Sequence, residues 1–181
     1  MKCLNCHSIR GVGNDFAPDL SIEGSKVQEQ WLRDFIEKPD IIRPILKQMP
    51  QFKLDDKQKM IQGNLTYIEV ETIVQYFKNV LVSDEIPEKL PDNGLDLREQ
   101  IEEGEKIYNE KGCIGCHQIE ENGGVVGPNL TNVGNRLTEG YIFKHLENPQ
   151  ALIPNIIEPN YNFSEDERIN LTRYLMSLIN N

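Results

Sequence analysis

Two five-residue strings constrain this chain more than any other feature: Cys3-Leu4-Asn5-Cys6-His7 and Cys113-Ile114-Gly115-Cys116-His117. They hold all four cysteines and two of the three histidines. On one helical turn, residues i and i+3 face the same way, so each string presents two thiols together with an imidazole directly after them. A structural zinc site brings its two Cys-x-x-Cys knuckles within about 15–20 residues of each other, whereas these strings lie in opposite halves of the chain. A thioredoxin-type redox pair needs no following histidine, and structural disulfides give no reason to repeat the string. Two thiols can instead form thioethers with the vinyl groups of a porphyrin while the next histidine takes the iron. The strings therefore point to two covalently attached haems, one in each half.

The halves repeat one another. Adding 110 to a residue number carries the first half onto the second without a gap from Cys3 to Pro44. Cys3, Cys6, His7, Ile9, Gly13, Pro18, Leu20 and Gly24 fall on Cys113, Cys116, His117, Ile119, Gly123, Pro128, Leu130 and Gly134. Glu29, Glu37, Pro39 and Pro44 fall on Glu139, Glu147, Pro149 and Pro154. A single offset that preserves every haem-attaching residue indicates duplication of one module.

Composition agrees. The 181 residues are 38% hydrophobic, lean for two independent cores, and an apolar porphyrin in each half would supply what is missing. A formal charge of −10, from 29 acidic and 19 basic residues, argues against nucleic acid and against an anionic membrane surface. A basic or neutral docking face on a redox protein suits it better. No apolar run reaches the roughly 18–20 residues of a membrane span.

The elements read as helices. An amphipathic helix over 97–109 leads into the second string, and a Gly- and Pro-rich loop follows it. A helix over 140–147 is stopped by Pro149, and a last helix runs over 165–179 behind the capping-box pair Ser164 and Glu167. Thr66 and Glu69 announce a similar helix running to about Val82. Strand alternation is nearly absent. The segment 83–97, with Pro87, Pro91, Asn93 and Gly94, reads as a linker. The expected organisation is all-α, with domain 1 over 1–82, the linker over 83–97 and domain 2 over 98–181.

The strings, the repeat and the helices together make the chain similar to tandem class I cytochromes c, two small all-helical haem domains in one chain. That resemblance implies that Pro18 and Pro128 pack near the proximal histidines, and that Gly104 and Tyr174 mark the crossing of the first and last helices of domain 2. It also implies that a Met-Pro loop brings a sulfur to the far side of the iron, which assigns Met49, before Pro50, to haem 1. Met60 and Met176 read as packing residues. Covalent haem attachment is completed outside the cytoplasm, so the resemblance implies a periplasmic protein, or one on the outer membrane face. Since only Met1 and Lys2 precede Cys3, it further implies an export signal or anchor upstream.

The second module departs from the first at the distal ligand. With one residue removed after Pro154, Glu158-Pro159-Asn160-Tyr161 falls on Met49-Pro50-Gln51-Phe52. Glu158 then stands where the distal methionine should be, and no methionine lies between Cys113 and Met176. Glu158, His145, Asn155 or Asn160 could ligate, the site could be five-coordinate or hold water, or the loop could arrive differently. His145 replaces Phe35 of the first repeat and reads as a partly exposed helix histidine.

The first module lacks an opening helix and carries extra residues around 57–64, which read as a solvated loop in preference to a flap near the Met49 side of haem 1. The stripe Ile73, Phe77, Val80 and Leu81 on its closing helix is expected to be covered by module 2, by an upstream segment, or by a second copy through the 68–82 helix. Two functional classes follow. The first is a dihaem electron carrier or haem subunit of a respiratory electron-transfer complex, with no catalytic residues. The alternative is a haem enzyme or a gas- or peroxide-binding protein that uses a Met-less haem 2.

Overall fold

The computed structural model describes residues 3–39, 52–54, 60–62 and 65–179. The chain divides into two compact units, Met1–Ser83 and Asp84–Asn181.

Each Cys-x-x-Cys string folds as a 3-10 turn, Cys3–Asn5 and Cys113–Gly115. In the first unit a two-residue hairpin follows, pairing Ser8–Ile9 with Val12–Gly13. Its turn places Arg10 and Gly11 at φ of 51° and 77°. Helix α1 spans Glu23–Lys26 and α2 spans Glu29–Glu37. Leu32 and Ile36, one turn apart, give α2 its buried edge. The helix ends at Glu37 because Lys38 precedes Pro39, and the proline ring disfavours helical geometry at the residue before it. Helix α3 spans Tyr67–Val80 behind the reciprocal capping box of Thr66 and Glu69.

Helix α3 buries Val70, Val74, Phe77 and the following Leu81, spaced at helical intervals. It packs on α1 and α2. The Gly24 N–H donates to the Leu81 carbonyl at 2.8 Å. An added Cβ at Gly24 would lie 2.0 Å from the Phe77 carbonyl oxygen. That end of the expected stripe is thus approached by α1 of its own unit. Phe77 and Leu81 are buried and Ile73 is half-buried, whereas Val80 is exposed. The exposed apolar positions are Ile68, Tyr76 and Val80 along one edge, with Tyr67 beside them.

Phe52–Leu54 pairs antiparallel with Met60–Gln62. Met60–Gln62, within the segment expected as a loop, is therefore a strand. With this pair and the short hairpins after each string, the described fold is helix-rich rather than purely helical.

In the second unit, α4 spans Leu97–Glu110, capped by Asp96 with Glu99. After the 3-10 turn, a hairpin pairs Gln118–Ile119 with Asn122–Gly123. Then come α5 over Val133–Arg136, α6 over Glu139–Glu147 and α7 over Pro149–Leu152. Helix α8 spans Glu165–Ser177 behind the capping box of Ser164 and Glu167. Ile107, Tyr108, Val133, Ile142, Leu146, Leu171 and Leu175 form the core, with Met176 packed against it. Burying one such aliphatic side chain fully is worth about 1.5–3 kcal/mol.

Helices α4 and α8 cross at Gly104. A Cβ there would sit 2.1 Å from the Asn170 carbonyl oxygen and 2.7 Å from Tyr174 Cβ. Tyr108 and Tyr174 meet beside the crossing with ring centroids 5.6 Å apart.

The segment expected as a linker folds onto the second unit from Asp84 onward. Ile86 is buried, and the Pro87 carbonyl approaches so closely that Gly140 has no room for a Cβ. Asn93 bridges two helices, its amide donating to Asn170 Oδ1 while its Oδ1 accepts from Gln100. Its prolines and polar residues serve local packing as well as connection.

Candidate haem sites

The two strings adopt the same geometry. In each, the backbone N–H of the second cysteine and that of the histidine both donate to the carbonyl of the first cysteine. For Cys3 the distances are 3.0 and 2.9 Å, and for Cys113 they are 3.1 and 2.9 Å. No disulfide joins any of the four cysteines.

The histidines are oriented alike. His7 Nδ1 lies 2.7 Å from the Pro18 carbonyl oxygen and His117 Nδ1 lies 2.9 Å from that of Pro128. A carbonyl only accepts, so Nδ1 carries the proton and donates, leaving Nε2 with a free lone pair for a metal. The loop carrying each proline is held by matched bonds. Ala17 N–H donates to the Cys6 carbonyl and Gly127 N–H to the Cys116 carbonyl, both at 2.8 Å. Arg10 N–H donates to Ser21 Oγ, and Glu120 N–H to Thr131 Oγ1, each at 2.6 Å. Arg10 and Glu120 share the left-handed region, at φ of 51° and 55°. The matched geometry thus extends to positions where the residues differ.

Large apolar side chains beside both strings are left on the surface. Leu4 and its counterpart Ile114 are each 39% exposed, while Phe16 and Val126 are 82% and 66% exposed. These residues fit an apolar plate held by the thiols and imidazole. Among the described residues no group of three or more His, Cys, Asp and Glu is arranged to hold a bare metal ion. Burial, with the charge of Glu158 added, pushes the Cys113 thiol up to about 11, away from reactive thiolate chemistry.

Met49 lies outside the described residues. Glu158 does not. Its neighbours Asn155 and Asn160 are exposed, and Asn160 Oδ1 accepts the Asn162 N–H in a local turn. Glu158 turns inward, its side chain 23% exposed, with its backbone carbonyl accepting from Gln150. Burial raises its carboxyl pKa, but the hydrogen bond and charge of His145, with the charge of His117, outweigh that and hold it below the usual value. The one side chain that the carboxylate of Glu158 meets at hydrogen-bonding distance among the described residues is His145.

His145 is the partner that sequence reasoning missed. It is a partly exposed helix histidine, as expected, with its side chain 16% exposed, but it also places Nε2 3.0 Å from Glu158 Oε2. Its ring stacks on Tyr141 at 5.9 Å, as Phe35 stacks on Trp31 at 5.0 Å in the first unit. The available signal was the repeat itself, since Phe35/His145 and Met49/Glu158 change character together.

Comparison with known proteins places residues 101–178 in the family described as Cytochrome c. That segment is similar to a cytochrome c domain. Such a domain carries covalently bound haem c, and the Cys113, Cys116 and His117 arrangement fits that group. The chain is 35% identical over 85 residues to cytochrome c oxidase subunit 2 of Alkalihalophilus pseudofirmus, a match covering 42% of this chain and 25% of that protein. It is 33% identical over 72 residues to cytochrome c-551 of Bacillus subtilis, covering 40% of this chain and 62% of the relative. The chain thus spans less than two thirds of either relative. Among the described residues, no helix is long and apolar enough to cross a membrane.

Proposed function

We propose that this chain is a dihaem c-type cytochrome that transfers electrons outside the cytoplasm, as a carrier or as the haem subunit of a respiratory complex. The observation that carries the reading is the matched geometry of the two strings, down to the His7–Pro18 and His117–Pro128 bonds. Cys3 and Cys6 would hold one haem with His7 as proximal ligand, and Cys113 and Cys116 the other with His117. Met49 would be the distal ligand of the first haem and Glu158 that of the second. The haem iron supplies a one-electron couple. The chain's own residues orient it, shield its apolar faces and set its potential.

The names of both relatives support electron transfer. The charge of −10 suits a partner with a basic or neutral docking face, because complementary potentials speed encounter. The test is to mature the full chain and measure its mass, its pyridine haemochrome and its ferrous spectrum with carbon monoxide. A mass gain of two haems and a first haem that ignores carbon monoxide are expected. A gain of one haem would overturn the dihaem assignment. Rapid peroxide turnover would favour a haem enzyme instead.

A further inference from the structure

The pair formed by His145 and Glu158 has no counterpart in the first repeat. There the equivalent positions are Phe35 and Met49, one aromatic and one thioether. In the second repeat both become polar, and the two side chains touch, with Nε2 3.0 Å from Oε2. Either change alone would be costly. Glu158 alone would bury a carboxylate without a donor, and His145 alone would bury an imidazole without an acceptor. Together, Glu158 gains a donor and His145 Nε2 gains an acceptor.

Two further contacts hold the arrangement: Tyr141 stacks on the His145 ring, and Gln150 donates to the Glu158 backbone carbonyl. His145 Nδ1 is buried and finds no hydrogen-bond partner among the described residues. The ring is therefore fixed by stacking and by its single bond to Glu158.

We propose that His145 is a positioning residue that holds Glu158 as the anionic distal group of the second haem, binding one carboxylate oxygen and leaving the other for the iron. This rests on the dihaem reading above. In that reading the first haem would take a soft sulfur from Met49 and the second a hard anionic oxygen from Glu158, a ligand that favours the ferric state.

The test uses the full chain, with two haems verified by mass in every variant. His145→Phe restores the residue of the first repeat, His145→Gln keeps an amide donor, and Glu158→Gln keeps shape without charge. Low-temperature electron paramagnetic resonance of the ferric protein reads the second iron. His145→Phe should lose the wild-type signal of that haem, and His145→Gln should restore most of it. In the Glu158→Gln background, His145→Phe should change nothing further, because no carboxylate remains to be held. The double change His145→Phe with Glu158→Met should add a second Met–iron charge-transfer band of about the same intensity as the first. An unaltered second-haem signal in His145→Phe, at two haems per chain, overturns the positioning role. A mass showing one haem overturns the dihaem reading instead.

Discussion

Replacing Gly104 by alanine tests the packing of the second unit where two opposing effects can be weighed. The new Cβ would lie 2.1 Å from the Asn170 carbonyl oxygen, short of ordinary contact by more than 1 Å. The obstacle is the backbone of α8, which cannot swing aside as a side chain would, so the two helices must separate. Overpacking of this kind costs about 1–3 kcal/mol. Alanine also improves α4, since glycine in a helix interior is worse by about 1 kcal/mol. The net expectation is a loss of about 0–2 kcal/mol, or up to roughly 15 °C in melting temperature for a unit of this size. Valine should cost more, because its branches meet Tyr174 as well. Guanidinium unfolding of the full chain, followed by far-ultraviolet circular dichroism, measures the loss. Trp31, the single tryptophan, reports the first unit separately and should show an unshifted midpoint. Gly115→Ala, whose Cβ would meet nothing within 4 Å, serves as the control. A Gly104→Ala variant more stable than wild type by about 1 kcal/mol would refute the close crossing, because the helix-propensity gain would then stand unopposed.

Met49→Ala should abolish the Met–iron charge-transfer band and lower the potential of the first haem while both haems stay attached. A band that persists would place the sulfur elsewhere. Spectroelectrochemistry should resolve two one-electron waves with the first haem higher, since a thioether favours ferrous iron more than a carboxylate does. Coincident waves, or the reverse order, would contradict that assignment. Ser164→Ala removes the α8 cap and should destabilise the second unit by about 1 kcal/mol in the same denaturation experiment. Glu158 titrates below its ordinary value in the folded chain. Its ionised form therefore adds stability that is complete above about pH 4.5 and disappears as the pH falls through the lowered value. Glu158→Gln should flatten that acid limb, as read from unfolding midpoints between pH 6 and pH 3.

The attachment turns, the duplication and the long helices were legible in the residues because each is a local instruction. A Cys-x-x-Cys-His string, a Ser-x-x-Glu box and a proline stop act within a few residues of themselves, and the chain has little choice nearby. The two-residue hairpins behind the strings escaped notice because so short a pair has no periodicity to read; Arg10 and Glu120 make the turn through backbone torsions that neither residue type advertises. The region 83–97 looked like a connector by composition. Its Ile86, Pro87 and Asn93 acquire packing roles only through contacts with Gly140, Gln100 and Asn170, up to 77 positions away.

The distal region shows the same division. Sequence alone determined that Glu158 replaces a methionine and that His145 replaces a phenylalanine, since the repeat aligns both. It also determined what each string can offer, two thiols and an imidazole, because those groups are written in the residue types. Only the tertiary structure decided that the two replaced positions are one feature. They lie 13 residues apart, on a helix and on the loop beyond it, and their 3.0 Å contact depends on how α6, α7 and that loop fold together. Hydrogen bonding is short-ranged and directional, so a pair of this kind exists only where packing brings donor and acceptor together.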